Sequence, residues 1–185
     1  PAGLAAATIA AQRGHVVSLF DADSKIGGQF NMAKQIPGKE EFHETIRYFK
    51  KQIELHGVQL HLNQLMTTED LLKGDFDHII LATGIKPRMP NIEGIDHEKV
   101  LSYIDVLKHH KPVGKRVAVM GAGGIGFDIC EYLAHEGEST SLHLDAWLKE
   151  WGIDKTLKAR SGTEGMVEEI EDSPREIFMF KRSKG

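Results

Sequence analysis

Apolar residues along the chain alternate between the spacing of a helix and the spacing of a strand. An amphipathic helix is predicted over residues 40–56, because four apolar side chains recur there at spacings of four and three. These predicted core residues are Phe42, Ile46, Phe49 and Ile53. Strands are predicted at 15–21, 57–62, 77–84, 116–120 and 175–180, the third and fourth as buried strands. Strands alternating with helices predict an α/β fold built on parallel sheets.

A complete glycine motif lies between the predicted buried strand 116–120 and a predicted helix over 127–135. Such a motif between strand and helix is typical of a dinucleotide-binding turn, although a ligand-free glycine loop is the alternative. The first glycine would permit the tight turn, the second the approach of a diphosphate, and the third close packing of helix on strand. The predicted cofactor-binding residues here are Gly121, Gly123, Gly124, Ile125 and Gly126. The diphosphate would rest at the helix N-terminus.

The chain opens on Pro1-Ala2-Gly3, which matches the end of a second glycine turn and leads into a helix of small residues that Gly14 ends. Asp21 ends the following strand, 18 residues after Gly3, where an acid would hold a ribose hydroxyl. The alternative is that Asp21 only caps a turn with its neighbours. Ala2, Gly3 and Asp21 are therefore predicted cofactor-binding residues.

Two further segments are typical of a chain that approaches a cofactor. Gly27, Gly28 and Gln29 place paired glycines where the backbone could lie close to a flat or charged ligand, with a flexible surface turn as the alternative. Ala82, Thr83 and Gly84 end the predicted strand 77–84 just before two prolines stop regular structure. We expect the tip of that strand to touch the same cofactor.

The region after the second glycine helix departs from a simple strand–helix alternation, because the next strand is delayed to 175–180. In the insertion, one predicted helical face carries Leu144, Trp147, Leu148 and Trp151. This face is interpreted as a packing stripe, with a ligand-binding box as the alternative. Beyond the delayed strand, Arg182 and Lys184 stand where cations would favour the extra phosphate of NADPH. A solvated basic tail is the alternative for these two residues.

Several motifs together resemble bacterial NADPH-dependent 2,4-dienoyl-CoA reductases. These are residues 26–31, 34–39, 123–128 and 150–154, and the resemblance covers essentially the whole chain. The two glycine turns and residues 27–29 and 82–84 resemble two-dinucleotide flavoproteins more broadly. It implies a flavin-dependent oxidoreductase with two Rossmann-like domains, both incomplete here: an FAD-binding domain at 1–110 and an NADPH-binding domain at 111–185. The NADPH domain would be inserted in the FAD domain, and this segment alone would be poorly stable or would associate.

The resemblance further implies a cytoplasmic enzyme of unsaturated fatty acid β-oxidation that passes hydride from NADPH to FAD. An N-terminal barrel outside this chain would hold FMN and the dienoyl-CoA substrate, and a bridging 4Fe–4S cluster would also lie outside this chain. No catalytic residue is therefore assigned here, and this segment alone would be inactive. Other interpretations are a segment similar to trimethylamine dehydrogenase or old yellow enzyme, one variant holding a structural adenine nucleotide, or a non-catalytic dinucleotide-binding module.

Composition limits the remaining classes of function. The 185 residues are 41% hydrophobic and 27% charged, with a formal net charge of −4, which argues against a nucleic-acid surface. No apolar run approaches the roughly 20 residues of a membrane span. The single cysteine, Cys130, rules out a disulfide framework and is interpreted as a small core residue. Ten histidines lack a paired ligand spacing, so no metal site is predicted.

Overall fold

The structure is a computed structural model that describes residues 1–182. The chain divides into two compact units. Unit 1 comprises Pro1–Ala33 and Glu41–Val100, and unit 2 comprises Lys34–Glu40 and the chain from Leu101 onward. These bounds differ from the predicted division into 1–110 and 111–185, because the chain changes unit at residue 101 and the segment 34–40 belongs to unit 2. Which nucleotide each unit binds stays a prediction.

Unit 1 is an α/β unit in which two short parallel strands pair. Its elements are α1 (Ala2–Gln12), β1 (Ser18–Phe20), α2 (Phe30–Ala33), α3 (Phe42–Leu55), β2 (Gln59–His61) and α4 (Thr68–Lys73). Strand β1 pairs in parallel with β2, with Leu19 opposite Leu60. The prediction of alternating helices and strands is confirmed, although β1 is shorter than the predicted strand 15–21.

The core of unit 1 lies between α1 and α3. Its buried members are Leu4, Ala7, Ile53 and Val58. The small residues of α1 allow this close packing, and the Thr8 hydroxyl, itself buried, donates to the Leu4 carbonyl at 2.8 Å within the helix. The predicted apolar face of α3 is confirmed, with Ile53 only 3% exposed and Phe49 packed against the cluster.

Helix α4 begins with a capping box in which Thr67 is the N-cap residue. Thr67 accepts from the Asp70 N–H at 3.2 Å, and the Thr67 N–H donates back to the Asp70 carboxylate at 2.9 Å. These two bonds satisfy N–H groups that the first turn of a helix leaves without a partner. The Thr67 hydroxyl also donates to this carboxylate, at 2.7 Å, and the hydrogen bonds from the Thr67 hydroxyl and N–H lower the pKa of Asp70.

The predicted buried strand at 77–84 is wrong. The segment has no regular structure, and Ile80 and Leu81 are 68% and 76% exposed. A continuous apolar run with β-branched residues favours an extended chain there, but a strand is stable only beside a hydrogen-bonded partner. Among the described residues, the sheet of unit 1 contains β1 and β2 alone. The apolar pattern is therefore present without the ladder that would bury it.

Unit 2 holds the second pair of parallel strands. Its elements are α5 (Tyr103–Leu107), β3 (Arg116–Met120), α6 (Gly124–Ala134), α7 (Leu144–Glu150), β4 (Glu176–Phe180) and short 3-10 helices at Thr140–Leu142 and Arg160–Gly162. Strands β3 and β4 pair in parallel, with Ala118 opposite Phe178, so the delayed strand is confirmed. The prediction that 116–120 is buried is wrong, because its residues alternate between exposed and half-buried. A two-stranded sheet with one uncovered face produces this alternation.

The segment 34–40, which we call the strap, is fastened within unit 2. Ile36 is 2% exposed, and the Gln35 side-chain amide donates to the Leu107 carbonyl at 2.8 Å. Glu40 accepts from the Ser141 hydroxyl at 2.8 Å. Burial raises the pKa of the Glu40 carboxyl, but the hydrogen bonds that it accepts, from Ser139 and Ser141 among others, outweigh burial and lower the pKa. The strap is therefore held at both of its ends.

None of the described helices is long and apolar enough to cross a membrane.

The core of unit 1 gives a stability prediction. Ile53→Ala should lower the free energy of unfolding of unit 1 by about 2–5 kcal/mol, because it leaves a cavity between α1 and α3. Leu55→Ala on the same helix is the control, since Leu55 is 61% exposed and its loss should change the free energy by less than about 0.5 kcal/mol. Urea-dependent hydrogen exchange of α3 in the natural full-length protein measures both. Equal effects would contradict the assignment of this core.

Candidate functional site

The glycine turn of unit 2 connects β3 to α6 with an open helix end. Gly121 has a φ of 121°, a conformation that L side chains rarely adopt, and its N–H donates to the Phe180 carbonyl at 2.8 Å. Gly123 is the N-cap of α6 and supplies no side-chain bond. The first N–H groups of a helix have no partner within it, and the helix dipole adds positive potential there. This end of α6 is therefore suited to an anion.

Close packing of the helix on the turn requires a glycine at position 126. A Cβ built on Gly126 would lie 2.0 Å from the Gly121 carbonyl oxygen, which no side chain could tolerate. By contrast, a Cβ on Gly121, Gly123 or Gly124 would meet no heavy atom within 4 Å. One glycine is thus required by the protein's own packing, while open space adjoins the other three. Open space beside free N–H groups fits a diphosphate.

The first glycine segment lies in unit 1, at the start of α1. Pro1 is the N-cap of α1 and makes no side-chain capping bond. A Cβ on Gly3 would lie 3.3 Å from the Ala82 Cβ and 3.6 Å from a Leu19 methyl group. The structure therefore brings two of the predicted segments together, 1–3 and 82–84, although 82–84 is not the tip of a strand. Thr83 and Gly84 are exposed, and Gly84 has a φ of 76°.

The paired glycines at 27 and 28 lie beside the same helix end. Both have positive φ, and a Cβ on Gly28 would come within 3.5 Å of the Pro1 ring. A Cβ on Gly27 would lie 2.9 Å from the side chains of Asn31 and Ile46. Gly27 is therefore required by local packing, while Gly28 lies next to the start of α1. Gln29 is half-buried just before α2.

Asp21 follows β1 directly and is tied to both neighbouring segments. Its N–H donates to the His61 carbonyl at 2.9 Å, and its Oδ1 accepts from the Asp23 N–H at 2.9 Å. The turn-capping role considered for Asp21 is thus present. A carboxylate can accept about four hydrogen bonds, so this bond leaves capacity for a ribose hydroxyl. The ribose role stays a prediction.

The two cations that are predicted to bind the 2′-phosphate, Arg182 and Lys184, follow β4 in the sequence. Arg182 is exposed and stands two residues beyond Phe180, whose carbonyl accepts from Gly121. Because the two strands are parallel, their carboxyl ends meet at one edge of the sheet, and Arg182 follows β4 at the edge that carries the glycine turn. Lys184 lies outside the described residues. The contribution of either cation to nucleotide binding stays a prediction.

The structure bears on two expectations, that Cys130 is a small core residue of α6 and that the apolar stripe of the insertion is packed. Cys130 is half-buried on α6, and burial raises the pKa of its thiol, so the thiol is protonated and weakly nucleophilic at neutral pH. The apolar stripe of the insertion is less packed than expected: Leu144 and Trp151 are 64% and 57% exposed, and the ring centroids of Trp147 and Trp151 are 6.2 Å apart. The structure thus leaves the role of this aromatic pair open. Among residues 1–182, no group of three or more His, Cys, Asp or Glu side chains could hold a metal ion.

Sequence reasoning missed the role of Asp154. Its carboxylate accepts from the Thr156 N–H and hydroxyl at 2.8 and 2.7 Å and from the Ala159 N–H at 2.7 Å. Hydrogen bonds to the charged form, those of Ala159 and Thr156 above all, lower the pKa of Asp154 to about 2. The residue therefore organises the loop after α7. An Asp followed two residues later by Thr is the signal that could have indicated this turn.

Comparison with known proteins places these features in context. The model of the pyridine nucleotide-disulphide oxidoreductase family matches residues 1–162. The chain is 36% identical over 142 residues to bilirubin reductase of Mediterraneibacter gnavus, over 76% of this chain and 22% of that protein. It is 32% identical over 146 residues to cinnamate reductase of Clostridium sporogenes, over 76% of this chain and 21% of that protein. It spans about a fifth of the length of these curated relatives.

A solved structure of 2-naphthoyl-CoA reductase in complex with 2-naphthoyl-CoA shares the fold. The TM-score is 0.70 at 26% identity, over 97% of this chain and 31% of that chain. The prediction of an α/β, Rossmann-like, dinucleotide-binding fold is confirmed by this likeness and by the family match.

The two kinds of glycine in the unit 2 turn can be separated by mutation. Gly123→Ala should lower the free energy of unfolding by no more than about 1 kcal/mol, because its φ of −96° and open surroundings accept a methyl group and only the poorer N-cap preference of Ala counts against it. The same change should weaken dinucleotide binding at least about tenfold, because the methyl group occupies the place of the diphosphate. Gly126→Ala should instead destabilise unit 2 by about 1–3 kcal/mol.

Calorimetric titration with NADP⁺ and urea unfolding of the natural full-length protein measure these two effects. Gly137→Ala is the control for backbone strain away from the turn. Gly137 has a φ of 90°, so an alanine there is strained, but the residue lies outside the glycine turn. Undiminished NADP⁺ binding by Gly123→Ala would place the diphosphate elsewhere.

Proposed function

The chain belongs to the pyridine nucleotide-disulphide oxidoreductase family, whose members use a flavin and a pyridine nucleotide, and we propose that unit 1 binds FAD and unit 2 binds NADPH. The observation that carries this proposal is the presence of an open helix end beside glycines in each unit. In unit 2 the glycine turn is followed by cations and in unit 1 the helix is followed by Asp21. Cations suit a 2′-phosphate, whereas an acid suits a bare ribose.

In unit 1, the residues around the start of α1 would bind the flavin nucleotide. The first N–H groups of α1 would hold its diphosphate, and Gly28 would let the backbone approach it without a side chain between them. The Asp21 carboxylate would accept from the ribose hydroxyl while its other bond keeps the turn in place. Gly3 would keep α1 close to Leu19 and Ala82.

In unit 2, the Gly121–Gly126 turn would hold the diphosphate of NADPH, and Arg182 with Lys184 would bind its 2′-phosphate. Arg can bind a phosphate through two parallel hydrogen bonds, and Lys supplies a point charge. The flavin, when bound, supplies the chemistry of accepting hydride from the reduced nicotinamide. The residues described here bind and orient, and none of them is proposed as a catalytic acid or base.

The substrate that we propose for the natural protein is an unsaturated acyl-CoA thioester of the 2,4-dienoyl type. Support comes from the motifs at 26–31, 123–128 and 150–154 and from a structural neighbour that carries an aromatic acyl-CoA. Two curated relatives are named as reductases of bilirubin and cinnamate, both conjugated molecules. FMN, a 4Fe–4S cluster and the proton donor would lie in parts of the protein outside this chain.

The first test of the proposal is an anaerobic visible spectrum of the natural full-length protein before and after one equivalent of NADPH or, separately, NADH. We expect a flavin band that NADPH bleaches much faster than NADH, because unit 2 offers cations to the 2′-phosphate. Oxidation of the reduced protein by a 2,4-dienoyl-CoA then tests the substrate, with cinnamate as the comparison. A protein without flavin, or with a band that neither nucleotide bleaches, would favour a non-catalytic binding module.

Arg182→Glu tests the binding of the 2′-phosphate separately. The variant should lose on the order of tenfold or more in NADPH affinity, because it removes a charge-assisted bond and adds repulsion. NADH, which lacks the 2′-phosphate, is the internal control and should bind about as before. Arg182→Lys should fall between the wild type and Arg182→Glu, since it keeps the charge and loses the planar fork. An unchanged ratio of the two affinities would exclude Arg182 from the 2′-phosphate site.

A further inference from the structure

The strap joins two motifs that are distant in the sequence. Lys39, near its end, places Nζ 2.5 Å from Oδ1 of Asp128 on α6, across 89 residues of chain. Both side chains are about two-thirds buried, with exposed fractions of 38% and 31%. Ion pairs on an open surface contribute little, but partial burial reduces screening by solvent and salt.

The position of Asp128 on the helix gives this pair its significance. Asp128 lies four residues after Gly124, the first residue of α6, and is therefore one turn into the helix. Side chains on a helix lean toward its N-terminus, so the carboxylate lies over the first turn. The helix end that offers positive potential to an anion thus carries a fixed negative charge of its own. An uncompensated carboxylate there would repel a diphosphate and compete with it for the helix dipole.

The rest of the strap holds Lys39 in position. Ile36 is buried, and the Gln35 side-chain amide donates a hydrogen bond to the Leu107 carbonyl. The Glu40 carboxylate accepts hydrogen bonds from the Gly38 N–H, at 3.1 Å, and from the Ser141 hydroxyl. These contacts fix the backbone on both sides of Lys39. The ammonium group is therefore placed beside Asp128 without the entropy cost of ordering a free segment.

We propose that Lys39 is a positioning residue for the dinucleotide of unit 2, which it assists by neutralising Asp128 at the N-terminal end of α6. The inference rests on the proposed function, since it needs a diphosphate at the Gly121–Gly126 turn. The strap would act on nucleotide affinity through charge, and Lys39 would not itself contact the phosphates. Removing Asp128 should then make Lys39 unnecessary.

A set of variants in the natural full-length protein tests this proposal by calorimetric titration with NADP⁺. Lys39→Met should raise the Kd about twofold to fivefold, the size of effect that one charge has near a helix end. Asp128→Asn should bind NADP⁺ as tightly as the wild type or more tightly. The double variant should match the wild type, because the pair has no net charge in either protein. Lys34→Met, which makes the same charge change in the strap without altering the pair, should behave as the wild type.

Salt dependence separates an electrostatic role from a structural one. The difference between Lys39→Met and the wild type should shrink when the ionic strength rises from about 0.05 to 0.5 M, because mobile ions screen the repulsion. A double variant as weak as Lys39→Met, or a defect that salt does not change, would overturn the proposal in favour of a purely structural strap. Wild-type protein that does not bind NADP⁺ would contradict the proposed function itself, whereas binding that Lys39→Met leaves intact would contradict only this inference.

Discussion

Unit 2 depends on one close approach, between the α-carbon of Gly126 and the carbonyl oxygen of Gly121. No side chain fits there, so α6 can lie directly against the turn that leaves β3. That approach fixes where the first N–H groups of α6 are presented, while the bond from Gly121 to Phe180 ties the same turn to β4. The helix end and the strand ends therefore share one edge of the sheet. The position that we propose for the diphosphate follows from this placement.

Unit 1 also places glycines at the start of a helix, beside a parallel sheet whose strands are only three residues long. Gly3 brings α1 against Leu19 of β1 and against Ala82, and Gly28 lies beside Pro1. Three segments distant in the sequence thus meet at the start of one helix. They meet although 77–84 forms no strand, because the contact needs only a small residue and an extended chain. Packing around Gly3 and Gly28 therefore brings these segments together outside the ladder of β1 and β2.

The sequence predicted features that depend on local chemistry and failed where a distant partner decides. Helix α3, the glycine turn and the delayed strand β4 were predictable, since their spacing and turn residues act within a few positions. The strand at 77–84 was not, because its pattern says nothing of whether a neighbouring strand is present. The strap's place in unit 2 was equally hidden, since Ile36 and Lys39 find their partners only after folding. For Asp21 the sequence offered two roles, and the described turn bond is compatible with both.

The charges around α6 suggest how affinity and selectivity are divided in unit 2. The glycine turn supplies N–H groups and a dipole, which attract a diphosphate whatever the nucleotide. Nearby charges would then modify this attraction: Asp128 on α6 would oppose it, Lys39 of the strap would cancel that opposition, and the cations after β4 would act on the 2′-phosphate. None of these charged side chains takes part in the close approach of Gly126 to Gly121, so each of them can change without disturbing that approach. A chain with this turn can therefore alter its preference between nucleotides by surface substitutions while its fold stays intact.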